Sequence, residues 1–183
     1  MKLYNLNGVN EIRIWLNSCD ELMLEKNNIN KLYEFNSPKN QIHENHTIIA
    51  ELFLPRGARV VYGVLGANYK FEASRKLSLT THQTLNDKKI FKDSLLDPIE
   101  EVYVGLPEEY EDGIYSGVKR VCDENKLLLT GNLDFCYAAH AEVSSSSWVF
   151  QKLAYIISNL FCMSEDSINR ENLILLLEQS QTT

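Results

Sequence analysis

The sequence predicts an α+β protein: a two-layer β-α-β sandwich with a mixed sheet and its helices on one face. Three observations predict it. β-rich segments fill the N-terminal half, two stretches with helical spacing of apolar residues follow, and strand-like residues lie between those stretches. A chain of 183 residues can bury one real core, or a core with a small appendage.

Residues 11–16 alternate as Glu-Ile-Arg-Ile-Trp-Leu and read as a strand. An apolar stretch at 21–25 leads into a bend rich in asparagine (Asn27, Asn28, Asn30), and 31–35 makes a further short strand. Residues 36–45 are polar, contain Pro38 and form a connector. Residues 47–54 are β-rich, and 60–64 and 67–71 continue in that style. Together they predict a hairpin turning near Pro55-Arg56-Gly57-Ala58. Residues 74–97 read as an irregular excursion in which Leu77, Leu79 and Thr81 alternate, and 101–104 is a short β-like piece.

Pro107 suits a first helical turn, with Glu108, Glu109 and Glu111 at the favourable end of the dipole. Tyr110, Ile114, Val118 and Val121 then recur on one apolar face. Residues 127–129 and 133–143 supply one or two strands. A second helix begins in the serine run 144–147, whose hydroxyls can cap free N–H groups. Its stripe is Val149, Leu153, Ile156 and Leu160, widened by Trp148, Phe150 and Ile157. A last helix over about 169–178 rests on Ile168, Leu173, Leu176 and Leu177. The chain therefore divides into a strand-rich extension (1–45) packed on the same domain, a main body (46–162) and a C-terminal helix (163–183).

Composition is ordinary for a folded chain, with 44% apolar and 23% charged residues. A net charge of −7 repels phosphate backbones and fits a protein partner better, particularly a basic one. Cys19, Cys122, Cys136 and Cys162 show no C-x-x-C spacing and read as buried free thiols. No signal-like run opens the sequence, and no stretch approaches the ~20 apolar residues of a membrane span. The expectation is a cytoplasmic protein with no membrane contact.

Three motifs, in order, carry a family resemblance. They are Arg59-Val60-Val61-Tyr62-Gly63-Val64; Gly105-Leu106-Pro107-Glu108-Glu109-Tyr110 followed by Gly117; and Glu142-Val143-Ser144-Ser145-Ser146 followed by Phe150. Over residues 47–161 the chain resembles domain IV of elongation factor G, free-standing and without the GTPase domain. The resemblance implies a β-α-β domain with a left-handed crossover, against the usual right-handed rule. At the matching positions the roles are structural. Pro107 starts a helix, Gly117 admits a close neighbour, Ser145 or Ser146 caps the second helix, and Tyr110 and Phe150 fill the core. In that family, function lies at two loop tips that reach the ribosomal decoding site. The corresponding tips are residues 55–59 and 138–141, where Arg56, Gly57, Arg59 and His140 are the residues suited to RNA contact.

The chain departs from the family at both tips. The glycine-rich first loop is reduced to Gly57, and Ala138-Ala139-His140-Ala141 stands where the family has Asp-Gly-Ser-Tyr-His. With no Gly-x-x-x-x-Gly-Lys-(Ser/Thr) in the sequence, GTP hydrolysis is not expected.

Catalytic groupings are thin. His43 and His46 offer two ligands, too few for a zinc site. Cys136 and His140 share a strand face but stand roughly 13 Å apart. The serine run lacks a Gly-x-Ser-x-Gly elbow. Neither a cofactor, a metal nor an enzymatic activity is expected. The acidic residues Glu100, Glu101, Glu108, Glu109, Glu111 and Asp112 serve as helix N-terminal charge bias or as a face for a basic partner. Two functions follow. The first is a translation-related module that touches the ribosome or structured RNA through its loop tips. The second is an acidic protein-binding inhibitor, such as an immunity protein that masks a basic toxin. An enzyme of unrecognised type is a third possibility.

Overall fold

The β-rich run of the sequence becomes one long antiparallel hairpin, β4 (His46–Arg56) and β5 (Arg59–Phe71), paired from His46↔Tyr69 to Arg56↔Arg59. A computed structural model describes residues 1–24, 30–36, 44, 46–84, 89–124 and 129–180. The other strands are β1 (Lys2–Asn5), β2 (Glu11–Trp15), β3 (Asn30–Asn36), β6 (Lys76–His82), β7 (Tyr103–Val104) and β8 (Gly131–His140). Among the described residues they form one mixed eight-stranded sheet in the order β1-β2-β4-β5-β8-β6-β3, with β7 beside the end of β8. Among the described residues only β6 and β8 pair in parallel, and the chain joins them through α1 (Glu111–Asp123). The α+β class and the mixed sheet are as the sequence predicts. β1 and β2 hold one edge and β3 the other, so the N-terminal residues belong to the same sheet.

All the described α-helices pack on one face. Ile48, Ala50, Leu52 and Leu54 alternate along β4 and are buried beneath them. α2 (Ser147–Leu160) lies on β5 at Gly63, where an added Cβ would come within 3.2 Å of Val149 and Leu153. α1 lies on α2 at Gly113 and Gly117. A Cβ on Gly117 would run into the Gln151 carbonyl and stand 2.9 Å from the Ala154 Cβ. The close approach expected of Gly117 is therefore helix to helix. Tyr110 and Phe150 stack at 4.6 Å in the core. Tyr33 and Phe35 of β3 meet Tyr115 of α1 at 4.6 and 5.6 Å.

The other sheet face is covered by irregular chain. Residues 76–82 form β6, where Leu77 and Leu79 are buried, and residues 89–102 cross this face. Phe91, Leu96 and Val102 of that segment are buried. The Leu95 N–H donates to the Glu51 carboxylate at 2.7 Å, as does the Tyr62 hydroxyl. Arg13 lies 3.4 Å from the same carboxylate and donates to the Asp93 carbonyl at 2.6 Å. Burial pushes the pKa of Glu51 up, and that of Tyr62 well up.

Local departures have local causes. α1 starts at Glu111 because residues 108–110 form a 3₁₀ turn after Pro107. α2 starts at its Ser146 N-cap without a side-chain cap bond, and the Ser145 hydroxyl, the other expected cap, bonds the Tyr62 carbonyl instead. α3 (Arg170–Gln179) is capped by Asn169, whose side chain accepts the Asn172 N–H. Residues 20–22 make a 3₁₀ turn, and 127–128, like Asn27 and Asn28, lie outside the described residues. The four cysteines form no disulfide, and only Cys136 is buried; the others are partly exposed.

The helix seam yields the first expectation. Gly117→Ala gains up to about 1 kcal/mol of helix propensity, yet overpacking against a neighbouring backbone costs about 1–3 kcal/mol. The expected outcome is a lower urea midpoint at unchanged m-value; an unchanged or raised midpoint would mean the helices are not held this close.

Candidate functional site

The β4–β5 tip carries both arginines singled out for contact. Gly57, at φ +65°, takes the left-handed conformation the tight turn requires, leaving Arg56 and Arg59 exposed on either side. β8 runs on through His140, so the second tip is residues 141–144 rather than 138–141. Ser145 shapes it: its hydroxyl donates to the Tyr62 carbonyl and accepts the Ala141 N–H, both at 2.9 Å. The two tips meet. Arg59, Val60, Val143 and Ser144 share a cleft of about 480 Å³ with Ile99 and Glu100.

His140 does not join the arginines. Its Nδ1 lies 3.2 Å from the Gly105 carbonyl, and its ring meets Tyr110 edge-on at 6.0 Å. A carbonyl only accepts, so Nδ1 carries a proton. Burial lowers the His140 pKa, opposed by the Gly105 carbonyl and by Glu109 and Glu142.

The six acidic residues separate into two groups. Glu111 is fully buried at the start of α1, where its carboxylate accepts from Thr81 (2.5 Å), Gln83 (2.7 Å) and Lys31 (2.6 Å). It ties α1 to β3 and β6 and presents nothing to a partner. Glu108 lies 3.8 Å from the same Lys31, and Asp112 is exposed nearby. Glu100 accepts from the Val143 N–H (2.6 Å) and from the Ser144 N–H and hydroxyl (3.2 and 2.7 Å), pinning the second tip. Glu101 accepts from the Tyr103 hydroxyl at 2.7 Å, and this bond, with Glu142 and Glu100 nearby, raises the Tyr103 pKa. Burial first and then Glu109 push Tyr110 up to about 12.

Glu100, Glu101, Glu109 and Glu142 thus gather around Tyr103, Tyr110 and His140. Val143 and Ile99, exposed by 87% and 62%, stand beside them. No family model, curated protein or solved structure matches this chain.

Residues that the sequence reading did not group also come together. His82 Nε2 lies 2.5 Å from Asp134, and Asn68 bonds both Cys136 (3.1 Å) and Thr47 (2.6 Å). They sit on the sheet face away from the helices, where the polar alternation of Ser78, Thr80 and His82 was the available signal. Cys136 meets Asn68, not His140. His43 lies outside the described residues, and His46 is laid on the Phe161 ring at 5.6 Å. Among the described residues no group of three or more His, Cys, Asp or Glu side chains is placed to hold a metal. No helix among them is long and apolar enough to cross a membrane.

Two measurements test this account. Glu111→Ala strands two buried partners, Thr81 and Gln83, together with the half-exposed Lys31, and is expected to cost about 3 kcal/mol, while the exposed neighbour change Asp112→Ala stays within about 0.5 kcal/mol; urea titrations compare them. The second concerns pH. Because the folded His140 pKa lies below its ordinary 6.5, the unfolded chain takes up its proton first as the pH falls. This contribution to stability is present above pH 6.5 and shrinks as the pH drops through the folded value. His140→Gln should narrow the gap between urea midpoints at high and low pH; an unaltered gap would contradict the assignment.

Proposed function

We propose that this protein is a binding module that grips a basic protein through the end of the sandwich where its two loop tips converge. The observation that carries this reading is the gathering of Glu100, Glu101, Glu109 and Glu142 around Tyr103, Tyr110 and His140, beside exposed Ile99 and Val143. Carboxylates at a rim steer a cationic partner, while an apolar pair with adjacent aromatics supplies the desolvated contact. The net charge of −7 acts in the same direction at longer range. Masking a basic toxin, as an immunity protein does, is the inhibitor form of this reading.

A second reading is favoured by one specific observation. The β4–β5 tip and the 141–144 turn line one cleft, an arrangement suited to two loops probing one target. With the order of the three motifs and the β6–α1–β8 crossover, it supports a likeness to domain IV of elongation factor G and contact with the ribosome or structured RNA through Arg56, Gly57 and Arg59. Against it, Arg59 shares its cleft with Glu100, and Glu142 adjoins the same turn. That balance of charge suits a protein surface better than a phosphate backbone.

Two charge-reversal variants separate the readings. The first is Glu101→Lys/Glu109→Lys/Glu142→Lys, and the second is Arg56→Glu/Arg59→Glu. Affinity capture followed by quantitative mass spectrometry is expected to yield a basic protein, bound at least about tenfold more weakly by the carboxylate variant than by the arginine variant. Saturable, salt-sensitive co-sedimentation with ribosomes that only the arginine variant loses would instead establish the second reading. Capture indifferent to both substitutions would sink the pair.

A further inference from the structure

At the C-terminal end of α2 the structure holds a cleft of about 570 Å³, within the roughly 300–1,000 Å³ of small-molecule sites. It is lined by residues of the start of β4 and of the 160–168 turn, with Leu16 from beyond β2. None of its residues takes part in the loop-tip surface described above.

Its chemistry is one-sided. Leu16, Ile48, Leu160, Met163 and Ile168 supply an aliphatic and thioether wall. His46, stacked on the buried Phe161 ring at 23°, forms a flat side. Among the described residues the charged side chains that line the cleft are Glu44 and Glu165, both exposed, and no lysine or arginine lines it. Lys2 lines a smaller adjoining hollow of about 180 Å³, which shares Leu16, Glu165 and Ile168 with the cleft. The end of α2 adds the negative pole of a helix dipole to the two carboxylates.

We propose that this cleft is a binding site for a small amphipathic organic cation, its apolar body on the Leu160–Met163–Ile168 wall and its ammonium group between Glu44 and Glu165. A carboxylate ligand is disfavoured by both glutamates and by the helix terminus. A neutral ligand forgoes the two ion pairs.

Three probes sharing one phenylbutyl body test the charge requirement: 4-phenylbutylamine as its ammonium ion, 4-phenylbutanol and 4-phenylbutyrate. Each is titrated into ¹⁵N-labelled protein while the amide resonances of Leu160, Met163 and Ile168 are followed. The ammonium is expected to shift them with an affinity about tenfold or more above that of the alcohol, and the carboxylate to leave them unmoved. Glu44→Gln/Glu165→Gln is expected to bring the ammonium to the affinity of the alcohol without changing that of the alcohol, which also reports that the variant is folded. Equal binding by all three probes would overturn the proposal. So would preference for the carboxylate, shifts confined to other residues, no shift up to millimolar concentration, or an unaltered ammonium affinity in the double variant.

Discussion

α1 can lie against α2 only because Gly113 and Gly117 present hydrogens where a side chain would meet the backbone of Ser147 and Gln151. The consequences run outward from that seam. α2 is free to settle on β5 at Gly63, where Val149 and Leu153 occupy the space a side chain would need. α1, held at that depth, brings Glu111 down to Thr81 and Gln83 of the β6 region and to Lys31 of β3. One close helix contact thus governs how the far edge of the sheet is tied to the helical layer.

Two buried carboxylates do comparable work on opposite faces. Glu111 fastens the helices to the sheet, and Glu51, with Tyr62, Arg13 and the Leu95 N–H, fastens the irregular segment 89–102 across the other side. Isolated charges are too costly to bury, so each site is built from several donors converging on one acid. This leaves the surface charge to other residues. Glu101, Glu109 and Glu142, with the partly buried Glu100, stand around an aromatic group at the end where the loops meet. The acidity of the sequence thereby becomes a local surface.

Much of the fold was legible from residue patterns. The Ile12 and Ile14 alternation along β2 and the stripe of α1 appear where the apolar residues predict, whereas α2 is buried on nearly every side, at all of residues 149–160 but Gln151. Gly117 was legible as a point of close approach, though not which neighbour approaches. The segment 89–102 was not, because it has no repeat: its buried residues Phe91, Leu96 and Val102 are spaced to match the sheet beneath and no internal period. At the candidate site, the exposed Arg56 and Arg59 followed from a turn containing glycine. The separation of buried Glu111 from exposed Glu109 did not, since neighbours point different ways on a turn of helix, nor did the tether of Glu100, whose donors Val143 and Ser144 are remote in sequence.

Local period and summed charge were enough to give the helices α1, α2 and α3, the long hairpin and the mean field of the chain, but not β1 or the strand within the excursion at 74–97. Tertiary structure alone decided that β3 pairs with β6 at one edge while β1 and β2 close the other. It alone paired His82 with Asp134, turned His140 inward and brought residue 59 beside residue 143. Each of these outcomes depends on which distant strands become neighbours, and that is settled by the joint packing of both sheet faces.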